Sequence, residues 1–400
     1  MDTESEAAMR QWALGLLKNE TVFVVAAVIA IISCCFVHPD HLYASYVHWN
    51  TLAQLGSLMA VVAGFQRIGL FHLIGSNLLA RVRTVRGLAL VLVALPFLTS
   101  MLITNDVALV TFIPFAIAVL VMAGLEDRIF LLASLMTLGA NLGSMLTPIG
   151  NAHNLYLKAR SGIPTSSFLA LMAPYTLASA VLLTLAVCLE FRPKRVSSLE
   201  RMGASNIQRS VLAPESDGIH PQVQVAPIQG WRLAVYSALF LVCLLGVGGI
   251  VPQWAMVAIV AFGFLLCDRR VFLQVDWGLL LTFTAFFIFI GNARRIPAFY
   301  NLVSGLVGAY PLVTSVACSQ VISNVPTALL VSGFSSSWRQ IIVGTNLGGL
   351  GTLIASMASL ISYKAVGKKY PQSKGRYLKI YTLLNVLFLA ILLAMACLIE

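Results

Sequence analysis

Apolar runs of about 17 to 25 residues recur from one end of the chain to the other, each long enough to cross the hydrocarbon core of a bilayer as a helix. The alternation of a membrane barrel is absent, so the pattern predicts helices. Crossing helices are expected near 21–37, 50–66, 129–157, 165–190, 232–250, 252–267, 275–292, 339–363 and 377–399, nine in all. Two further apolar stretches, 87–123 and 309–335, are too long for one helix, and polar residues interrupt each in the middle. Thr104-Asn105-Asp106 breaks the first and Ser323-Asn324-Val325-Pro326 the second, which predicts two re-entrant hairpins. Residues 68–82 and 296–308 are shorter and mixed, as expected of segments lying along the membrane interface.

Composition agrees with this pattern. Of the 400 residues, 59% are hydrophobic and only 10% are charged, against roughly 25% charged in a soluble protein. The first 20 residues mix acids and bases and carry no small-residue cleavage site, so the first helix is expected to stay uncleaved behind a short cytoplasmic segment. The seven cysteines lie within or at the ends of apolar runs without ligand spacing, which marks them as packing residues. A net charge of +11 invites nucleic acid as a partner, but the basic residues sit in short loops between spans, where charge sets topology instead.

With the N-terminus inside, only Lys158, Arg160, Arg294, Arg295 and Arg339 of the 26 basic residues fall outside. That asymmetry predicts a C-terminus outside and a cytoplasmic linker at 191–231. The expected organisation is therefore a terminal segment 1–20, a first membrane repeat 21–190, the linker 191–231, a linking helix 232–251 and a second repeat 252–400.

The halves repeat each other. Residues 139–155, GANLGSMLTPIGNAHNL, align without gaps on 344–360, GTNLGGLGTLIASMASL, and match at seven positions. The Asn105 and Asn324 tips correspond, and Trp49, Arg67 and Phe71 stand at one constant offset from Trp277, Arg295 and Phe299. The linking helix flips the second half, so the repeats are predicted to be inverted, a common carrier architecture.

Chemistry is expected where regular helix is interrupted at membrane depth, because free backbone groups are tolerated there only inside protein or beside a wet cavity. Gly143, Thr147, Pro148, Gly150 and Asn151 break the helix at 129–157. Gly348, Gly349, Gly351 and Thr352 break that at 339–363. Such breaks expose carbonyls to a cation and helix N-termini to an anion. Polar side chains at Thr104, Asn105, Asn141, Asn151, Asn154, Ser323, Asn324, Thr327, Asn346 and Ser356 complete the candidate substrate and ion site. Small residues also serve close helix packing, but here they cluster at matching places in both repeats. Asp106 is the acid placed well within an apolar segment and is assigned to ion or proton coupling, its other reading being a helix cap. His153 follows the first break and reads equally as a titrating or a structural residue. Arg294 and Arg295 read as interface anchors.

At these residues the chain resembles the ion transporter superfamily, which includes divalent-anion/sodium symporters, citrate permeases, arsenite permeases and one class of sodium/proton antiporters. The resemblance rests on Thr104-Asn105-Asp106 with Thr147-Pro148-Ile149-Gly150-Asn151, and on Ser323-Asn324 with Gly351-Thr352. It implies an all-α membrane protein of two inverted repeats, with two re-entrant hairpins and two broken helices around one central site. The dicarboxylate branch carries Ser-Asn-Thr at both tips, whereas this chain has Asp106 at the first and Val325-Pro326 at the second, nearer the arsenite permeases and antiporters.

The function implied is secondary transport of a small carboxylate, inorganic anion or arsenite-like oxyacid, coupled to sodium or protons. Sodium/proton antiport through Asp106 is the alternative. A membrane enzyme is disfavoured by the lack of a nucleophile, base and metal constellation, and a receptor by the lack of a sizeable soluble domain. Expected partners are the solute or ion, membrane lipid and a second copy of the chain in a homodimer, with no cofactor and no metal beyond a transported or coupling sodium. The expected location is the bacterial inner membrane.

Overall fold

The computed structural model of the chain describes residues 21–79, 82–195 and 229–399, and every regular element among them is helical. The expected N-terminal segment 1–20, most of the linker and the C-terminal residue 400 lie outside the described residues.

The first half runs as α1 (Thr21–Phe36), a short α2 (Tyr43–Tyr46), α3 (Trp49–Arg67), α4 (Leu70–Leu79), α5 (Val85–Thr99), α6 (Asn105–Met122), α7 (Ile129–Ser144), α8 (Ala152–Ser161) and α9 (Thr165–Glu190). After α10 (Gly230–Val247) the second half runs as α11 (Gln253–Cys267), α12 (Trp277–Ala293), α13 (Pro297–Ala309), α14 (Pro311–Ile322), α15 (Asn324–Ser332), α16 (Trp338–Leu347), α17 (Met357–Lys369) and α18 (Lys374–Ile399). The same succession thus occurs twice: an apolar helix, a bent pair, a hairpin pair, a broken pair and a long closing helix.

The segments expected along the interface are α4 and α13. They follow α3 and α12 at bends of 54° and 105°. Among the described residues four helices, α6, α9, α10 and the stretch ending in α18, are by themselves long and apolar enough to cross a membrane. The other expected crossings are bent or broken pairs and shorter apolar helices such as α1 and α11. A 15-residue helix reaches only about 22 Å, short of the hydrocarbon thickness. Breaking helices in mid-bundle therefore trades spanning length for free backbone ends inside the protein.

The α5–α6 pair is a hairpin. Thr84 caps α5, its hydroxyl accepting from the Gly87 amide at 3.1 Å. The Val85 amide donates to the Lys194 carbonyl, just past the end of α9. After the turn at 100–104, α6 leads to Arg128, which faces Glu190 at the same end of α9. Both ends of the pair thus return to one end of the bundle. Basic residues gather there: Arg86 donates to the Phe191 and Cys188 carbonyls, and Arg376 lies over the Phe130 ring.

Packing crosses between the halves. α1 lies along α12 and α11 along α3, while α5 packs on α7 and α14 on α16. At the centre, α7 buries every residue except Leu131. Small residues permit that approach. The Cα of Gly139 faces the Val93 carbonyl and that of Gly344 faces the Leu312 carbonyl, positions paired in the two halves. The outer helices instead expose large apolar side chains such as Leu189 at 84%, Leu383 at 72% and Phe262 at 64%. Lipid tails suit that surface and water does not. The chain is an all-α, multi-pass membrane protein.

Candidate functional site

Each hairpin seats its tip on the break of a neighbouring helix, and the contacts are equivalent in the two halves. The Asn105 amide donates to the Gly150 carbonyl at 3.3 Å, and the Asn324 amide to the Ala355 carbonyl at 2.9 Å. The Thr147 hydroxyl donates to the Met101 carbonyl, as the Thr352 hydroxyl does to the Gln320 carbonyl at 3.0 Å. Asn151 and Ser356, the residues entering α8 and α17, share nearly the same extended backbone, at φ −148° and −143°. One local design thus serves both halves.

The two units meet through side chains. Asn141 on α7 accepts from the Asn105 side-chain amide at 2.8 Å and from the Ser356 hydroxyl at 3.1 Å. Its own amide donates to the Gly349 carbonyl at 3.5 Å. Gly349 has no side chain because the Asn324 amide occupies that space: a Cβ there would stand 2.9 Å from Asn324 Nδ2. A continuous chain of contacts therefore runs from Asn105 through Asn141 and Gly349 to Asn324, from one tip to the other. Beside it Asn154 and Asn346 form a reciprocal amide pair at 3.1 and 2.7 Å, joining α8 to α16. Asn105, Asn141, Asn151, Asn154, Ser323, Asn324, Asn346 and Ser356 are all buried. The hydrogen bonds that join them to one another are made by amide and hydroxyl groups and backbone carbonyls.

Some candidates serve the breaks instead. Thr147 ties the first break to the hairpin and accepts from the Gly150 amide at 3.1 Å. Pro148 lies in the same turn, and Gly150 is required because a Cβ there would strike the Ser144 and Ser100 carbonyls. Gly351 adopts φ +102°, and Thr352 is exposed. Leu353 stands where the first break has Pro148, and the stiffening comes from Gln320. Its amide donates to the Gly348 and Leu350 carbonyls at 3.0 and 2.9 Å and its oxygen accepts from the Thr352 amide at 2.8 Å. Gln320 was not legible as a site residue, since a glutamine in an apolar helix has many uses.

Several groups remain without partners. One carboxylate oxygen of Asp106, in the first turn of α6, is buried with no hydrogen bond. Thr104 precedes it without capping through its side chain. His153 is fully buried beside Asn346, yet neither ring nitrogen has a hydrogen-bond partner. The Thr327 hydroxyl is likewise buried and unpaired. Ser323 adopts φ +74°, the one positive φ of a non-glycine among the described residues. That backbone costs on the order of 1–3 kcal/mol and persists where its surroundings enforce it; here the Ser323 hydroxyl and the Asn324 amide both point to the Ala355 carbonyl. Unsatisfied buried groups and one strained backbone position thus lie at the two tips and beside the first break. His153→Ala empties a fully buried site and is expected to lower the thermal midpoint through the cavity it leaves; a fall in proteoliposome uptake of at least tenfold, beyond the loss of folded protein in the same preparation, is the result expected of a site residue.

The chain is similar to known membrane and transport proteins. The chain is 34% identical over 325 residues to the inner membrane protein YbiR of Escherichia coli (strain K12), covering 80% of each chain. It is 29% identical over 360 residues to an uncharacterized transporter of Methanocaldococcus jannaschii, covering 88% of this chain and 90% of that one. A shorter stretch of 142 residues, 36% of this chain and 29% of the relative, is 33% identical to the silicon efflux transporter LSI3 of Oryza sativa subsp. japonica. The model of the CitMHS citrate transporter family matches residues 11–336. The chain, with paired hairpin tips seated on paired helix breaks, belongs to the CitMHS family of transporters.

Proposed function

We propose that this transporter is a secondary carrier of a small oxygen-rich solute, a carboxylate, inorganic anion or oxyacid, coupled to sodium or protons and residing in a cytoplasmic membrane. The observation that carries this reading is the chain of contacts from Asn105 to Asn324. It gathers amides, hydroxyls and free backbone ends from both halves at one buried place. Amide donors and helix N-termini suit solute oxygens, and the carbonyls at the breaks suit a sodium ion. The relatives named as transporters, one of silicon, fit a solute of this chemistry. The two halves are read as inverted repeats that alternate access by an elevator-like or rocking motion, with the basic end of the bundle facing the cytoplasm.

Asp106 is assigned the coupling role because its buried, unpartnered oxygen lies at the first tip. A carboxylate there is stable only with a proton or a cation, so its charge is linked to ion occupancy. Asp106→Asn keeps the size and removes the titrating charge. It is expected to retain solute exchange between equal concentrations and to lose accumulation against a gradient. Accumulation with unchanged dependence on pH and sodium would reduce Asp106 to a cap and move coupling to the breaks. The same unpartnered oxygen favours one second reading, sodium/proton antiport. A sodium gradient that drives proton movement in proteoliposomes without added solute selects it.

A further inference from the structure

The basic residues at the ends of α8 and α12 divide sharply by partner. Arg295 is engaged, donating to Asp40 at 2.7 Å and to the Tyr46 hydroxyl at 3.0 Å, which also holds the Asp40 carboxyl below its usual range. Lys158 is engaged with the Val247 carbonyl. Arg160 and Arg294 have no carboxylate within 4 Å among the described residues. They come from different halves of the chain, from the end of α8 and the end of α12. Together they line a cavity of about 250 Å³ with Ser45, Tyr46, His48 and Tyr156. A larger cavity of about 500 Å³ adjoins it through His48 and carries Lys158.

The place of this cavity matters. Arg160 and Asn154 stand six residues apart on α8, which separates them by roughly 9 Å along the helix axis. Tyr156 lies between, its hydroxyl paired with Ser332 at 2.9 Å and its ring against His48 and Phe287. The cavity and the buried asparagine cluster thus share α8, with Tyr156, which lines the cavity, between Asn154 and Arg160 along that helix. Burial, and to a lesser degree the Arg160 charge, push the His48 imidazole on its rim below the usual histidine range. Asp40, between α1 and α2, is already paired with Arg295. Two guanidinium groups facing a confined, partly dehydrated space without a counter-charge focus a positive potential there. Their planar forks match carboxylate and other oxyanions.

We propose that Arg160 and Arg294 form an anion-capture site at the mouth of the carrier, which collects the solute in its negatively charged form before it passes Tyr156 to the asparagine cluster. This rests on the reading of the chain as a carrier of an oxygen-rich solute and narrows the substrate to an anion, against a neutral oxyacid.

The test measures charge in the cavity without requiring transport. Ser45 is exposed and lines the same cavity, so Ser45→Cys reports on it. In the purified full chain, an anionic sulfonatoethyl thiosulfonate reagent and its cationic trimethylammonium counterpart are compared for modification rate at the introduced thiol. Labelling of the chain lacking the substitution is subtracted, and the ratio is set against that for a free thiol. Two nearby positive charges should favour the anionic reagent roughly tenfold at low salt, less as screening rises. The preference should vanish in the Arg160→Gln, Arg294→Gln pair and persist in the Arg160→Lys, Arg294→Lys pair. Succinate as a probe anion should slow labelling in the arginine chain and not in the glutamine variant. A free-thiol ratio in the arginine chain, or equal slowing by succinate in both, overturns the proposal. Failure of the carrier reading shows separately, as absence of uptake of any solute by proteoliposomes whose cavity still prefers the anionic reagent.

Discussion

Asn105→Ala and Asn324→Ala should each abolish solute uptake while leaving a folded protein. Asn105 is the better anchored of the two: its amide group donates to Asn141 and its carbonyl oxygen accepts from the Asp106 backbone at 3.0 Å. Truncation leaves Asn141 still bonded to Ser356 and Gly349, so the stability cost should stay within about 1–3 kcal/mol, the range for one buried polar group losing a partner. Asn324 touches Gly349 across the site and keeps its backbone bond to Ala355 whatever its side chain. Its truncation opens space rather than forcing a clash. Both variants should therefore show near-parental gel-filtration profiles and thermal midpoints in detergent, with transport at background. Residual uptake that falls only in proportion to lost stability would mean the tips are structural.

Gly143→Ala should have the largest effect on the fold. In an isolated helix the change would add up to about 1 kcal/mol of helix stability. Here a Cβ on Gly143 would overlap the Phe97 carbonyl and come within 2.7 Å of the Ser100 hydroxyl oxygen. Neither can retreat: Phe97 belongs to α5 and its carbonyl also accepts from the Ser100 hydroxyl at 3.1 Å. Accommodation requires α5 to part from α7, unseating the first tip from Gly150. Overpacking of this kind costs about 1–3 kcal/mol and more where backbone is struck, so the steric term outweighs the propensity gain. A lowered thermal midpoint and loss of uptake are expected together. Gly308→Ala, which meets nothing within 4 Å, is the control and should leave both unchanged. An unchanged midpoint for Gly143→Ala would show that the hairpin does not depend on this close approach.

Membrane character, helical class and the interruptions at 100–104, 145–151, 323 and 348–356 could be read from the residue order without any coordinates. Each rests on local chemistry: a bilayer demands long apolar runs, and polar or small residues in their midst, such as Asn105-Asp106, Ser323-Asn324, Pro148-Ile149-Gly150 and Gly348-Gly349, can only interrupt them. Similar breaks need similar residues, and the paired contacts of Asn105 with Gly150 and Asn324 with Ala355 fall at positions matched by the gapless alignment of 139–155 on 344–360. Which of those residues face one another is a matter of how the helices pack. Asn141 and Gly349 are 208 positions apart, and Asn154 and Asn346 are 192 apart. No periodicity encodes such meetings, because they depend on how α7 and α16 cross between the halves. The same holds for Gln320, whose clasp takes up the place of the proline missing at Leu353, for the strained backbone of Ser323, and for Arg160 and Arg294. In the sequence Arg294 reads as an interface anchor and Arg160 only as one of the basic residues outside; whether such a side chain reaches lipid or a cavity is set by the helix packed beside it, and here the cavity draws its lining from both halves of the chain.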